Sequence, residues 1–71
     1  MIRINPNKLY LSKWTAVTPK NKEKHFIVVK LVKDENEAIV QCILESVFSK
    51  RQFILDWQDL KQEAHWLMGW K

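Results

Sequence analysis

Cys42 is the only cysteine in this 71-residue sequence, and that restricts how the chain can be stabilised. A domain of this size buries only about 60% of the surface that its unfolded chain exposes, so many small domains depend on disulfides or metals. One cysteine and two histidines provide neither an intramolecular disulfide nor a structural zinc site. The core must therefore come from large side chains, chiefly the four tryptophans. Burying one tryptophan removes about 150–250 Å² from water, a gross stabilisation of about 4–6 kcal/mol.

Four segments have the composition or the two-residue alternation of β-strands. They are KLYLSKWTAV (8–17), FIVVKLVK (26–33), AIVQCILESVF (38–48) and QFILDW (52–57). Alternation places Phe26 and Val28 on one face of the second segment, and Cys42 and Leu44 on one face of the third. The segments between them are polar, so we expect an antiparallel meander.

Residues 59–68 have a helical pattern instead. Asp59 can cap a helix and Gly69 can end it, while an apolar stripe runs between them. The stripe consists of Leu60, Ala64, Leu67 and Met68. We therefore predict one short C-terminal helix over residues 59–68.

The predicted strands are apolar on both faces in places, so a flat sheet of three or four strands would leave apolar surface in water. Curling the sheet hides that surface and protects its edges. The expected fold is a mainly β single domain over residues 1–71. It is a small antiparallel meander curled into an SH3-like open barrel, and residues 1–7 are expected to form a flexible N-terminus.

The charge is divided unevenly along the chain. Residues 1–33 contain eight basic side chains and one acid, Glu23, which gives a net charge of +7. Residues 34–71 contain four basic and seven acidic side chains, a net charge of −3. A cationic region of this kind favours an anionic partner.

Residues 13–29, KWTAVTPKNKEKHFIVV, contain most of the candidate site. Lysines alternate through the polar connection at 18–25, and aromatic residues stand on either side of it. Lysines on a connection between strands suit phosphate contacts, and an exposed ring could stack on a base. The candidate nucleic-acid-binding residues are Lys13, Trp14, Lys20, Lys22, Lys24 and His25. The alternative is a solvated connection whose lysines serve only solubility.

The tryptophans also have two interpretations. Trp14 and Trp57 lie within strand patterns, which favours core packing. Trp66 and Trp70 either hold the C-terminal helix against the sheet or leave one ring exposed as a binding site.

Three longer stretches resemble a family of small bacterial tryptophan-rich conserved hypothetical proteins. They are LSKWTAVTPKNKEKHF, ILDWQDL and WLMGWK, and the resemblance extends from about Lys8 to Lys71. Its characteristic aromatic positions correspond to Trp14, Phe26, Trp57, Trp66 and Trp70. The resemblance implies a cytosolic bacterial protein of unknown function and identifies no ligand.

No catalytic, metal or cofactor motif stands out, so we expect a binding module rather than an enzyme. The N-terminal residues MIRINPNKLYL have no apolar run that suits a signal peptide, and no 18-residue apolar segment could span a membrane. These features predict a cytoplasmic protein. The expected function is weak RNA or single-stranded nucleic-acid binding through the basic connection. The alternative is a protein–protein interaction module or a homodimer that uses exposed tryptophan or apolar surface.

Overall fold

The computed structural model describes residues 4–71, which form five β-strands and two short 3-10 helices. The strands are β1 (Lys13–Lys20), β2 (Glu23–Lys33), β3 (Ile39–Ser46), β4 (Gln52–Asp56) and β5 (Trp66–Met68). The 3-10 helices cover Pro6–Lys8 and Trp57–Lys61.

The five strands form one antiparallel sheet in the order β4-β3-β2-β1-β5. The prediction of a mainly β antiparallel fold is therefore confirmed. β4 and β5 are the two edges of the sheet and do not pair with each other, so the sheet is open. The SH3-like barrel stays a prediction.

The prediction of a C-terminal helix over residues 59–68 is wrong. The side chain of Asp56, not Asp59, accepts from a backbone amide, that of Gln58, and starts a 3-10 helix that ends at Lys61. The chain then turns and pairs with β1 as β5. A ten-residue helix is marginal alone, whereas pairing with β1 satisfies backbone groups on both strands.

Within residues 4–71 no helix is long and apolar enough to cross a membrane.

The predicted flexible N-terminus falls partly on residues 1–3, which lie outside the described part of the chain. Beyond them, Ile4 packs against the core. The side chain of Asn5 accepts a hydrogen bond from the amide of Asn7 at 3.0 Å and caps the first 3-10 helix. The segment that precedes β1 therefore helps to cover the sheet.

The core lies on one face of the sheet, here called the inner face. Alternate residues of β1, β2 and β3 point inward, as the two-residue period requires. Leu9 and Leu60, which flank or belong to the 3-10 helices, close over them. The buried apolar residues are Leu9, Trp14, Phe26, Val28, Cys42, Leu44 and Leu60.

A β-bulge changes the alternation in β2. The register against β3 shifts between Val28 and Lys30. Because a bulge adds one residue to one strand, the inward positions move along by one. Leu31 therefore packs against the core, whereas unbroken alternation from Val28 would place Lys30 there.

Candidate functional site

Residues 18–25 form the tip of a β-hairpin rather than a loose connection. β1 continues to Lys20, β2 starts at Glu23, and these two residues pair across the turn. Asn21 and Lys22 have φ values of 55° and 64°. Two positive φ values in a two-residue turn are the pattern of a type I′ turn, which suits the twist of the flanking strands. The sequence prediction ended the first strand at Val17 and began the second at Phe26. The polar residues between them contain no Asn-Gly turn signal that would have indicated a tight hairpin.

The hairpin tip brings three of the predicted site residues together. Lys20, Lys22 and Lys24 are all exposed within five residues of chain. None of these side chains takes part in an ion pair among residues 4–71. We call this segment, residues 20–24, the basic hairpin.

Two other predicted site residues lie apart from the basic hairpin, on the outer face of the sheet. Regular pairing of Trp14 with Phe26 places their neighbours Lys13 and His25 on the face opposite the core. There the Nζ of Lys13 is 4.8 Å from the centre of the Trp70 ring, and the His25 ring is 6.0 Å from it. The Trp70 indole donates a hydrogen bond to the Phe26 carbonyl at 3.0 Å.

Trp14 is buried, with 1% of its surface exposed. Its indole Nε1 donates to the hydroxyl of Ser12 at 2.9 Å, so the polar group of the ring is satisfied inside the protein. The core-packing interpretation is confirmed for this residue. Its ring does not offer a face to a nucleic-acid base in this structure.

A cleft of about 700 Å³ opens on the inner face beside the basic hairpin. Phe26 lies between two partly exposed rings, at 6.0 Å from Phe53 and 5.4 Å from Trp66. The Phe53 and Trp66 rings are steeply inclined to the Phe26 ring, at 71° and 83°. The residues that line the cleft are Ala16, Thr18, Lys20, Asn21, Glu23, Phe26, Leu44, Arg51, Phe53, Leu55, Asp59, Gln62, His65 and Trp66. We call it the aromatic cleft.

The polar residues of the aromatic cleft come from several elements. At the end of the basic hairpin, Lys20 comes from the tip, and Arg51 comes immediately before β4. Asp59 belongs to the 3-10 helix that follows β4. Gln62 and His65 come shortly before β5, and the His65 carbonyl accepts a hydrogen bond from the amide of Val17 in β1. In the chain Phe53 and Leu55 lie between Arg51 and Asp59, so the lining of the cleft passes from a cationic end to an apolar middle.

Glu23 is an acid at the cationic end, but its charge is already engaged. Its side chain is 6% exposed and lies 3.5 Å from the Arg51 guanidinium. Its other carboxylate oxygen accepts a hydrogen bond from the Ser49 hydroxyl. The pair with Arg51 and this hydrogen bond offset the cost of burying the carboxylate. Lys20 therefore remains available to an anion.

The sequence prediction missed the aromatic cleft as a site. Its lining residues come from five separate segments, and only Lys20 is among the predicted residues. Alternation in QFILDW does place Phe53 and Leu55 on one face, but no pattern shows that Trp66 returns to the same sheet. That return depends on β5, which the sequence indicated as helix.

The remaining chemistry-bearing groups offer no second site. Cys42 is fully buried in the core, and burial raises the pKa of its thiol to about 11, with smaller effects from the charges of Asp56 and Asp59. A thiol in this state is a poor nucleophile at neutral pH. No group of three or more potential metal ligands occurs among residues 4–71.

By its fold and its cleft, the chain belongs to a class of small tryptophan-rich proteins with one open antiparallel sheet. The chain belongs to the tryptophan-rich protein family DUF2389, which it matches over residues 12–71. The resemblance to a tryptophan-rich family is thereby confirmed, and the match starts at Ser12. Searches of curated proteins and of solved structures each found no significant match.

Proposed function

We propose that this protein binds single-stranded nucleic acid, RNA in particular, through the basic hairpin and the adjoining aromatic cleft. The observation that supports the proposal most directly is their shared rim, because Lys20 and Asn21 line the same cleft as Phe53 and Trp66. Cations that follow a backbone and rings on which bases stack are the two components of single-strand binding.

The surface suits a single strand better than a duplex. The 3-10 helices are three and five residues long, and neither could fill a major groove as a recognition helix. Unstacked bases of a single strand can instead reach rings at the floor of a cleft. The proposal is one of binding rather than catalysis, in the bacterial cytoplasm that the sequence predicts.

Charge reversal on the basic hairpin tests the proposal. The triple variant K20E/K22E/K24E should lose at least tenfold in affinity for a mixed-sequence RNA oligomer, because three phosphate contacts are removed. The affinity of the wild-type protein should fall with salt with a log–log slope of about −2, the value for three single-strand contacts. Fluorescence anisotropy of a labelled oligomer measures both quantities.

The matched control is K8E/K30E/K33E, which makes the same change in net charge at three exposed lysines outside the basic hairpin. It should retain most of the affinity. Equal losses in the two variants would show that only net charge matters, and an unchanged affinity in the hairpin variant would refute the proposal.

Exposed apolar surface favours a second candidate function, self-association through the edge strand β4. Ile54, in the middle of β4, is 60% exposed. An edge strand with an exposed apolar side chain offers unpaired backbone groups to another chain. Trp70, 44% exposed on the outer face, provides further apolar surface for a protein partner.

A further inference from the structure

We infer that the aromatic cleft holds one nucleotide unit of the bound strand, with its phosphate at the cationic end and its base between the rings. The inference rests on the proposed function and assigns it a ligand class, a nucleoside monophosphate group. Apart from Lys20, it concerns residues that no sequence pattern marked as a site.

The size of the cleft agrees with such a ligand. A volume of about 700 Å³ lies within the range of about 300–1,000 Å³ that small-molecule sites occupy. From Arg51 to Leu55 a strand extends about 13 Å, which is comparable to the length of a nucleotide from phosphate to base edge. One nucleotide could therefore extend from the cationic end along the apolar middle of the cleft.

The apolar middle of the cleft suits a planar ring. Phe53 and Trp66 are both partly exposed, and each meets Phe26 edge to face. Their remaining surface is available for stacking, and bases stack on aromatic side chains with little sequence preference. A purely aliphatic floor would provide apolar contact without this stacking.

The cationic end suits the phosphate. The Nζ of Lys20 is not engaged in an ion pair among the described residues, and Arg51 already lies over the Phe53 ring, 5.1 Å from its centre. An arginine in this position can contact a phosphate and the ring of a stacked base together. Glu23 is shielded by its own contacts and does not leave an unpaired negative charge.

Two lining residues that follow β4 in the chain suit a base edge. Gln62 has an amide that can donate and accept, and Asp59 can accept from an exocyclic amine. Both residues are exposed, so these groups can turn toward a ligand. The cleft thus offers contacts to each chemical part of one nucleotide except the sugar.

Titration of the labelled protein with AMP, followed by NMR of its indole and amide groups, tests the inference. Each of the four tryptophans gives one indole signal. Trp66 lines the cleft, whereas Trp70 lies on the outer face. AMP should shift the Trp66 indole and the amides of the basic hairpin, and should leave Trp70 unchanged. Adenosine and inorganic phosphate should each bind more weakly than AMP, since each makes half of the contacts.

Two phenylalanine variants provide a matched pair. F53L removes a ring from the cleft, whereas F48L removes an exposed ring in the β3–β4 turn, outside it. F53L should weaken AMP binding about tenfold, the loss of one stacking contact, and F48L should leave it unchanged. Equal effects would overturn the inference. Should F53L unfold, the wild-type titration decides alone.

The test separates the inference from the proposed function. If AMP leaves the Trp66 signal unmoved while the RNA oligomer still shifts the basic hairpin, the cleft is not a nucleotide site, and nucleic-acid binding stands through the basic hairpin alone. If the oligomer also has no effect at low salt, both are wrong.

Discussion

At the scale of single residues, Cys42 shows how burial changes the chemistry of a side chain. The thiol packs among apolar residues on the inner face, and its pKa rises to about 11 because the thiolate would lose its hydration. The negative charges of Asp56 and Asp59 raise the pKa further. This cysteine therefore acts as a small apolar residue of the core.

The raised pKa predicts a loss of stability in alkali. In the unfolded chain the thiol ionises near pH 9.0, whereas in the folded chain it ionises near pH 11. Between these values the unfolded state binds fewer protons, so the contribution of the thiol is complete below pH 9 and is lost as the pH rises toward 11. From pH 8 to 10.5 the loss should be about 2 kcal/mol.

The variant C42A isolates this effect from other groups that titrate in alkali. The free energy of unfolding, measured with urea at both pH values, should fall more in the wild-type protein than in C42A. The same decrease in both proteins would mean that the thiol is not the group responsible.

At the scale of elements, one hydroxyl makes two of the hydrogen bonds that attach the C-terminal segment, beside those from the Trp70 indole to Phe26 and from the Gly69 amide to Lys13. Thr15, in β1, is 1% exposed, and its Oγ1 donates to the Gly69 carbonyl at 2.6 Å. The same oxygen accepts from the backbone amide of Lys71 at 2.9 Å. These bonds hold the segment that follows β5 against the outer face.

The variant T15V should loosen this segment. Valine has nearly the same shape but cannot make either bond, and each unsatisfied group costs about 1 kcal/mol or more. We expect the unfolding free energy to fall by about 1–2 kcal/mol, and the amides of residues 66–71 to exchange faster with solvent. Thr18, exposed in the same strand, provides the control T18V. If both variants exchange alike at residues 66–71, the hydroxyl does not hold the segment.

The elements also show what the sequence could and could not predict. Strands β2, β3 and β4 follow from β-branched and aromatic residues, and the inward positions of Phe26, Val28 and Leu44 follow from alternation. β5 does not follow from the sequence. Its segment has apolar residues at helical spacing, but it pairs with β1, which lies about fifty residues away in the chain. The aromatic cleft was hidden for the same reason, because Trp66 reaches Phe26 only through β5.

The basic hairpin illustrates a smaller difference. Its lysines were predicted as one cluster from their spacing, and they do lie together at the tip of a hairpin. Lys13 and His25 were predicted beside them but lie with Trp70 on the outer face. Neighbouring residues of a strand lie on opposite faces of the sheet. The face of Lys13 or His25 can therefore be predicted only when the strand boundaries are known.

At the scale of the whole molecule, the open sheet leaves two edges of different length. β5 has three residues, and β4 has five, with Ile54 exposed at its centre. Gln52 and Asp56, at the ends of β4, would face each other in an antiparallel pair of β4 strands centred on Ile54. Such a pair would place no like charges opposite one another.

The variant I54K tests whether the β4 edge associates. A lysine on an edge strand opposes pairing with another chain. If the protein self-associates at high concentration, I54K should raise the dissociation constant at least tenfold in sedimentation equilibrium. V40K adds the same charge at an exposed position of β3, an interior strand, and should have little effect. Equal dissociation constants for I54K and the wild-type protein would exclude β4 as the interface.

The place of β5 beside β1 has a consequence for the order in which the protein can fold during its synthesis. β1 leaves the ribosome before its partner at the sheet edge, which is made about fifty residues later, as the separation of 54 residues between Thr15 and Gly69 illustrates. At about 5–20 residues per second, the delay is about 3–10 s. During that interval one side of β1 lacks its partner, and a nascent chain in this state is a natural client for a chaperone.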